Sequence, residues 1–185
     1  PEVVGGLLRA IDDYQGEEVT RCALRLSPYV MLRPGELRCG EWTEIDFEKR
    51  QWRIPASKMK MKRIHIVPLS TQAISILKEV QRITGRWKYI FPSLRSKNRP
   101  MSNNTVNGAL RRMGYSKEEM TAHGFRAMTS TLLHENGFES HVIEAQLAHA
   151  ERNKVKAAYN HAEYLSQRTE MLQWWADYLD ELRGE

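Results

Sequence analysis

Two arginines, two histidines, a group of lysines and a tyrosine supply the kinds of side chain that phosphodiester cleavage requires. Arg33 directly precedes Pro34, which suits the first position of a helix, so Arg33 lies at a helix N-terminus, where anions are attracted. His123 and Arg126 are three residues apart and would share one helix face, so both could reach the same ligand group. Taken singly, each is more often a capping or ion-pairing residue. Together, fixed guanidinium groups would stabilise the extra negative charge of a pentacoordinate phosphorus.

The other candidates could supply a nucleophile and a proton. His149 ends an apolar helical segment, Tyr159 follows two alanines, and Lys58, Lys60 and Lys62 share a predicted hairpin turn. A tyrosine hydroxyl attacks phosphorus when its neighbours help it to lose its proton, and a lysine or histidine can protonate the leaving oxygen. The complete set predicts covalent phosphodiester cleavage that needs neither a metal ion nor another cofactor. The residues alone leave open which lysine takes part.

Length and composition exclude several classes of protein. The chain has 185 residues, of which 41% are hydrophobic and 28% charged, as expected of one folded domain rather than a disordered chain. Its two cysteines have no metal-binding spacing and do not form a disulfide framework. We find neither an apolar run long enough to span a membrane nor a signal-like start, so we expect a protein of a reducing cytosol.

Positive charge is concentrated in two parts of the chain. The net charge is +5, but residues 49–63 contain seven basic residues and no acidic one. Residues 86–112 also lack acidic residues, whereas the tail from residue 170 onward is mainly acidic. This distribution favours a surface that faces a polyanion such as DNA, because each cation placed on a phosphate releases condensed counterions. A solvated basic face without a ligand is the simpler alternative.

The hydrophobic periodicity predicts a mainly α protein with a small antiparallel three-stranded β-sheet, an α+β fold. Because successive side chains of a strand point to opposite faces, Arg63 and His65 would lie on one face of the third strand and Ile64 and Ile66 on the other. Predicted helices cover residues 3–14, 17–32, 71–83, 102–113, 121–135, 140–147, 154–159 and 163–182, with a restart at Pro34. Ser70 is the predicted N-cap of the helix at 71–83. Predicted strands cover residues 42–47, 51–54 and 63–67.

Five segments, in this order, resemble the catalytic domain of the tyrosine recombinases, the phage integrase family, and most of all the integrases of prophages and genomic islands. They read RPGEL with WTEIDF, KMKMKRIHIVPLS, AHGFRAMTSTLLHENGF, QLAHAERNKVKAAYNHAEYL and MLQWWADYL. The resemblance implies the recombinase catalytic-domain fold. It also implies a DNA strand transferase that integrates or excises a prophage or genomic island through a 3′-phosphotyrosine intermediate.

The resemblance also assigns a role to each candidate residue. Arg33 and Arg126 match the two catalytic arginines, with His123 three residues before the second. His149 matches the residue that hydrogen-bonds the scissile phosphate. Lys60 matches the lysine that protonates the leaving 5′-oxygen, and Tyr159 matches the nucleophile. Lys58 and Lys62 remain alternatives to Lys60, and Tyr164 remains the alternative to Tyr159.

Domain organisation and partners follow from the same resemblance. Residues 1–185 would form a single catalytic domain, and core-binding and arm-binding domains would lie outside this chain. The helical segment 163–185 would either pack on its own core or dock on a neighbouring protomer. The expected partners are double-stranded DNA attachment sites, three further copies in a homotetramer, and DNA-bending accessory proteins at the nucleoid.

Three other functions compete with this interpretation. A type IB topoisomerase uses much the same residues to relax supercoiled DNA, and an inactive remnant would bind DNA without cutting it. A metal-dependent nuclease could draw on the histidines at positions 123, 134, 141, 149 and 161, although carboxylate clusters do not accompany them in the sequence.

Overall fold

The predicted fold class is confirmed by a computed structural model, which describes residues 1–149 and 164–184. Helices account for most of these residues, and a three-stranded antiparallel sheet with the order β1-β2-β3 lies between the third and fourth helices. The helices are Glu2–Asp12 (α1), Glu18–Val30 (α2), Pro34–Arg38 (α3), Thr71–Thr84 (α4), Thr105–Arg112 (α5), Gly124–Glu135 (α6), Ser140–Gln146 (α7) and Leu165–Gly184 (α8). The strands are Ile45–Asp46 (β1), Gln51–Ile54 (β2) and His65–Pro68 (β3).

Helix α2 forms the centre of the core. It contacts α1, α3, α4, α5, α6 and α8, and its side chains from Cys22 to Leu24 are fully buried. Pro28 stands inside this helix, and its carbonyl oxygen accepts a hydrogen bond of 2.9 Å from Trp175 Nε1 on α8. Because α2 is held on all sides, its C-terminal end is a fixed point for the residues that follow it.

Helix α8 packs on the core of its own chain. Met171, Trp175 and Leu179 are fully buried, and α8 contacts α1, α2, α4, α7 and β3. Trp174 lies on the outer side of the helix, where its ring packs against Phe138. This packing accounts for most of the apolar residues of the tail. Docking of the tail on a neighbouring protomer stays a prediction.

The sheet has a well-defined register. Strand β2 pairs with β3 through Trp52 opposite Val67 and Ile54 opposite His65, and with β1 through Ile45 opposite Trp52. The hairpin between β2 and β3 carries the three candidate lysines. In the described sheet, β3 is an edge strand, and it contacts α8.

The structure differs from the predicted elements at several boundaries. The segment predicted as a strand from residue 42 begins with a 3₁₀ turn, Trp42–Glu44, so β1 is only two residues long. In β3 the side chains alternate as expected, but His65 and Val67 are buried while Ile64 just before the strand is 41% exposed. Alternation determines which residues share a face, but which face is buried depends on the elements packed against it.

Two helices begin later than predicted, and one predicted helix cannot be compared. The helix predicted from residue 121 begins at Gly124, because residues 121–123 form a turn in which Thr121 Oγ1 accepts a bond from the Gly124 N–H. The helix predicted from residue 102 begins at Thr105. The helix predicted for residues 154–159 lies outside the described residues. The predicted Ser70 cap is confirmed, since its hydroxyl accepts a bond from the Ala73 N–H.

Candidate active site

Arg33 lies where the central helix ends and a short helix begins. Helix α2 ends at Met31, which adopts a left-handed conformation with φ of 53°, and α3 begins at Pro34. The carboxylate of Glu36 accepts a bond of 2.9 Å from the backbone N–H of Arg33 and one of 2.8 Å from its guanidinium. This return of an N3 carboxylate to the N-cap residue is half of a capping box. The ion pair therefore fixes Arg33 while leaving its side chain about a quarter exposed.

Arg126 joins the ends of two helices. It lies in the first turn of α6, and its residue is only 5% exposed. One terminal nitrogen donates to the carbonyl oxygen of Met31, and the other donates to that of Leu147 at 2.9 Å. Both acceptors lie at helix C-termini, where carbonyl groups lack intrahelical donors and carry partial negative charge. The segments that lead to Arg33 and His149 are therefore held by a single guanidinium group.

Arg126 has charged neighbours of both signs. Burial lowers its pKa to about 10, and the positive charge of Arg33 lowers it further, whereas Glu36 and Glu144 raise it. At neutral pH the guanidinium still carries its charge. The charges of Arg33 and Arg126 therefore lie close enough to affect each other, and a bound anion could interact with both.

His149 follows the left-handed end of α7. Ala148 has φ of 50°, and the N–H of His149 donates to the carbonyl of Glu144 at 3.2 Å, as in a Schellman motif. The His149 Nδ1 atom also contacts the Glu144 carboxylate, which fixes the ring through a charged hydrogen bond. About half of the His149 side chain is exposed, so its other ring nitrogen is accessible to a ligand.

His123 is the N-cap residue of α6. Its carbonyl oxygen accepts a bond of 3.1 Å from the backbone N–H of Arg126, and its side chain is exposed and makes no capping bond. The sequence predicted that His123 and Arg126 share a helix face. Instead, His123 stands at the cap, directly beside the turn that carries Arg126.

The hairpin lysines differ in their surroundings. Lys58 lies between Glu41 and Glu44, bonded to the first carboxylate at 2.7 Å and contacting the second, and it also donates to the Cys39 carbonyl at 2.9 Å. Burial alone would lower the pKa of Lys58, but the bonds to the two carboxylates raise it. Lys60 is exposed on the turn. Lys58 therefore anchors the hairpin, and Lys60 is free of this anchoring network.

The two candidate tyrosines stand differently in the structure. Tyr159 lies outside the described residues. Tyr164 precedes α8, and its ring packs against His141 with centroids 4.7 Å apart. Since His141 and Leu147 are six residues apart on α7, this contact lies roughly 9 Å along the helix from the end that Arg126 holds.

The segments that carry Arg33 and His149 thus lie together at Arg126. Glu144 was not among the predicted site residues. Its carboxylate contacts His149 and raises the pKa of Arg126. Its spacing of five residues before His149 was the available signal, because a Schellman ending places those residues side by side.

A basic loop lies outside this cluster. Between α4 and α5, residues 86–99 belong to a loop that is closed by the pairing of Pro92 with Pro100 and that exposes Leu94. The ring of Trp87 is covered by the guanidinium of Arg86 at 4.5 Å and the ammonium of Lys97 at 5.0 Å. This arrangement holds cations in place at the surface.

Two negative findings apply to residues 1–149 and 164–184. Within these ranges, we find no cluster of three or more histidine, cysteine, aspartate or glutamate residues that could hold a metal ion. None of the helices described there combines the length and apolar character needed to cross a lipid bilayer.

The fold is shared with solved integrases and a recombinase. It superposes on the integrase from mycobacterium phage Brujita with a TM-score of 0.71 at 17% identity, over 91% of this chain and 55% of that chain. The XerA recombinase gives a TM-score of 0.66 at 17% identity, over 94% of this chain and 57% of that chain. The Tn1549 transposon integrase in complex with transposon right end DNA gives 0.56 at 16% identity, over 88% and 62%. The chain therefore has the fold of these solved integrases and of this recombinase.

The chain belongs to the phage integrase family, whose model matches residues 1–165. It is 46% identical over 187 residues to the integrase of Enterobacteria phage P4, covering 93% of this chain and 43% of that protein. It is also 46% identical over 158 residues to the prophage integrase IntA of Escherichia coli strain K12, covering 85% and 38%. The chain therefore spans less than half the length of these curated relatives.

Proposed function

We propose that the chain is the catalytic part of a site-specific DNA recombinase that integrates or excises a prophage or genomic island. The observation that carries this proposal is the position of Arg126, whose guanidinium joins the helix ends before Arg33 and His149. Family membership and the names of the relatives, integrases of phages and prophages, support the same function.

The proposed reaction breaks one phosphate ester and forms another. Tyr159 attacks the scissile phosphorus, its proton passes to a neutral histidine of the site, and a 3′-phosphotyrosyl bond forms. The bond to the 5′-oxygen breaks, and Lys60 donates a proton to that oxygen. The 5′-hydroxyl of a partner strand then attacks the phosphotyrosine and displaces Tyr159. The ester energy is conserved, so rejoining requires no ATP.

The charged residues would act on the phosphate group itself. Arg33 and Arg126 would bind its non-bridging oxygens. Of His123 and His149, one would accept the tyrosine proton, and the other would donate a hydrogen bond to the phosphate as negative charge develops. The Glu36 and Glu144 carboxylates would orient the Arg33 and His149 side chains. These cationic groups take the part that divalent cations have in many nucleases, so we expect the chemistry to proceed without a metal ion.

Tyr159 is favoured over Tyr164 as the nucleophile. The Tyr164 ring packs on His141, away from the end of α7 that Arg126 holds. Lys60 is favoured over Lys58 as the proton donor, because Lys58 is engaged by two carboxylates that raise its pKa. A proton donor must be free to reach its acceptor.

DNA would lie across the site and the basic loop. Residues 86–99 carry five basic and no acidic side chains, and their charges would neutralise backbone phosphates near the cleavage point. We further propose a homotetramer on paired attachment sites, DNA-bending accessory proteins, and action at the nucleoid in the bacterial cytoplasm.

Covalent trapping tests the function. The protein is incubated with nicked duplexes that tile the DNA flanking its gene, in the presence of a chelator, and the adduct peptide is mapped by mass spectrometry. The expected result is a 3′-phosphate linked to Tyr159. DNA binding without an adduct would indicate an inactive remnant, and loss of cleavage with the chelator would indicate a metal-dependent nuclease. Plasmid relaxation without two-site recombination would indicate a topoisomerase.

A further inference from the structure

A second arginine is buried more deeply than Arg126 and lies outside the predicted site. Arg168, in the first turn of α8, is only 1% exposed, and no carboxylate among the described residues pairs with it. Removing a charged group from water without an opposite charge is costly, so a chain that keeps one buried must satisfy it with well-placed hydrogen-bond acceptors.

The acceptors of Arg168 belong to two other elements. Its Nε and one terminal nitrogen donate to the side-chain oxygen of Gln146 at 3.0 and 2.8 Å. The same terminal nitrogen donates to the backbone carbonyl of Ile66 in β3. Gln146 is itself fully buried, and its amide nitrogen donates to the carbonyl of Val30 at 3.2 Å. Arg168 therefore connects α8 with α7, β3 and, through Gln146, the end of α2.

The hydrogen bonds of Arg168 and Gln146 involve residues adjacent to those that Arg126 binds. Arg126 joins Met31 to Leu147, and Gln146 joins Val30 to Arg168. The ends of α2 and α7 are thus bridged twice, at adjacent residues. Only the second bridge extends to the sheet.

The hydrogen bond from Arg168 to β3 also affects the position of the hairpin between β2 and β3. Strand β3 is an edge strand in the described sheet, and an edge carbonyl lacks a neighbouring strand as donor. Arg168 supplies that donor at Ile66, and the hairpin that carries Lys60 leads directly into β3. A shift of α8 would therefore be transmitted to the hairpin and to the His149 segment together.

We infer that Arg168 is a positioning residue for DNA cleavage: its buried guanidinium sets the hairpin of Lys60 and the α7 end of His149 in register with each other. The inference rests on the proposed function. Among the described residues, Arg168 is connected to the hairpin through Ile66 and to the α7 end through Gln146.

Two substitutions and a matched control test this role. Arg168→Met keeps the aliphatic stem but removes every donor, and Arg168→Lys keeps the charge but loses the planar fork that binds two acceptors. Leu179→Ala, also fully buried in α8, weakens packing of the same helix without touching the hydrogen bonds. All proteins are compared at a temperature at which thermal unfolding shows them to be folded.

Cleavage of a nicked duplex at saturating DNA is the first measurement. We expect Arg168→Met to form the covalent adduct about 100-fold more slowly and Arg168→Lys at least about tenfold more slowly, because small misplacements of reacting groups have effects of this size. DNA affinity should stay unchanged, since the residue is buried. An equal slowing in Leu179→Ala, or a normal rate in Arg168→Lys, would show a purely structural role. If Arg168→Met does not fold, Arg168→Lys decides.

A substrate with sulfur in place of the bridging 5′-oxygen isolates the hairpin. A thiolate leaves without protonation, so it should restore much of the lost rate in Arg168→Lys if the position of Lys60 is disturbed. Absence of any rescue would overturn the coupling to the hairpin.

Hydrogen exchange gives a readout that does not depend on catalysis. Backbone amides of residues 58–64 should exchange faster in the Arg168 variants than in Leu179→Ala, because the edge of β3 loses its donor. Equal exchange would contradict the inference. If the unsubstituted protein forms no adduct with any duplex, the proposed function fails, while this comparison still decides whether Arg168 couples α8 to the hairpin.

Discussion

The guanidinium of Arg126 donates to the carbonyl oxygen of Leu147 at 2.9 Å, two residues before His149. Its other terminal nitrogen donates to Met31, two residues before Arg33. One cation thus stabilises two helix C-termini and sets the spacing of the side chains that follow them. Arg126 therefore has a structural role, to which the proposed function adds a chemical one.

Replacement of Arg126 should affect both stability and cleavage. Arg126→Met leaves two buried carbonyls without their donors, at about 1–3 kcal/mol each, and we expect unfolding several degrees lower. Loss of the charge at the phosphate should slow adduct formation by about 10²- to 10³-fold. Thermal unfolding and single-turnover cleavage measure the two effects.

Arg9→Met is the matched control for this change. Arg9 also donates to two carbonyls at a helix C-terminus, Leu182 and Arg183, each at 3.3 Å. We expect a small loss of stability and normal cleavage. If Arg9→Met slows cleavage as much as Arg126→Met does, the rate effect at Arg126 is a consequence of stability alone.

Local structure could largely be predicted from the sequence. The span 51–54 predicted for the second strand is confirmed, and the Ser70 cap and the long apolar helices follow from periodicity and capping residues. The failures are local as well: Thr121 bonds the Gly124 N–H in a turn rather than starting the helix itself.

The convergence of the site could not be derived from periodicity. Arg126 and Met31 are 95 residues apart in the chain, and the bond between them depends on how α2 and α6 pack. Arg168 gave no signal at all, because a lone arginine in a helix usually faces solvent. Only the family resemblance pointed to the remote partners, and it did not include Arg168 or Glu144.

We expect Lys58 to anchor the hairpin and Lys60 to act in the reaction. Lys58→Ala removes the cation bound to Glu44 and leaves Glu41 with Lys88, 3.5 Å away, as its remaining ion-pair partner among the described residues. The change should lower the unfolding temperature by several degrees, with cleavage affected only as far as the hairpin loosens. Lys60→Ala should leave stability unchanged and slow cleavage of a normal 5′-oxygen. A bridging-sulfur substrate should rescue Lys60→Ala but not Lys58→Ala, and the reverse pattern would exchange the two assignments.

The nucleophile can be identified with two conservative substitutions. Tyr159→Phe should abolish the covalent adduct on a nicked duplex and leave DNA binding intact, because only the attacking hydroxyl is removed. Tyr164→Phe should still form adducts, since its ring contact with His141 does not need the hydroxyl. Adducts that persist in Tyr159→Phe and vanish in Tyr164→Phe would transfer the role to Tyr164.

Lowering the pH should protonate Glu41 and so weaken its ion pair with Lys58, which anchors the hairpin. Burial alone would raise the pKa of Glu41, but its bond and ion pair with Lys58 lower it below 4.5 overall. A carboxylate with a depressed folded-state pKa stabilises the protein above the unfolded value, and this contribution is lost as the pH falls through the folded value. The unfolding temperatures of the parent and Glu41→Gln should differ at pH 7. The difference should shrink as the pH falls below the unfolded-state pKa and disappear below the depressed folded-state pKa. A constant difference across this range would show that the ion pair does not stabilise the fold.

Salt dependence should reveal the phosphate contacts of the basic loop. Each phosphate neutralised on duplex DNA contributes about 0.9 to the slope of log affinity against log salt concentration, so the double change Arg95→Ala with Lys97→Ala should lower that slope by up to about 1.8. Lys97 also covers Trp87 at 5.0 Å, so its loss uncovers one face of the ring. Lys78→Ala with Lys117→Ala removes the same charge from exposed positions outside the loop and is the control. Titrations of fluorescent duplex at several salt concentrations give both slopes, and equal slopes for the two double variants would mean that the loop contributes only through net charge.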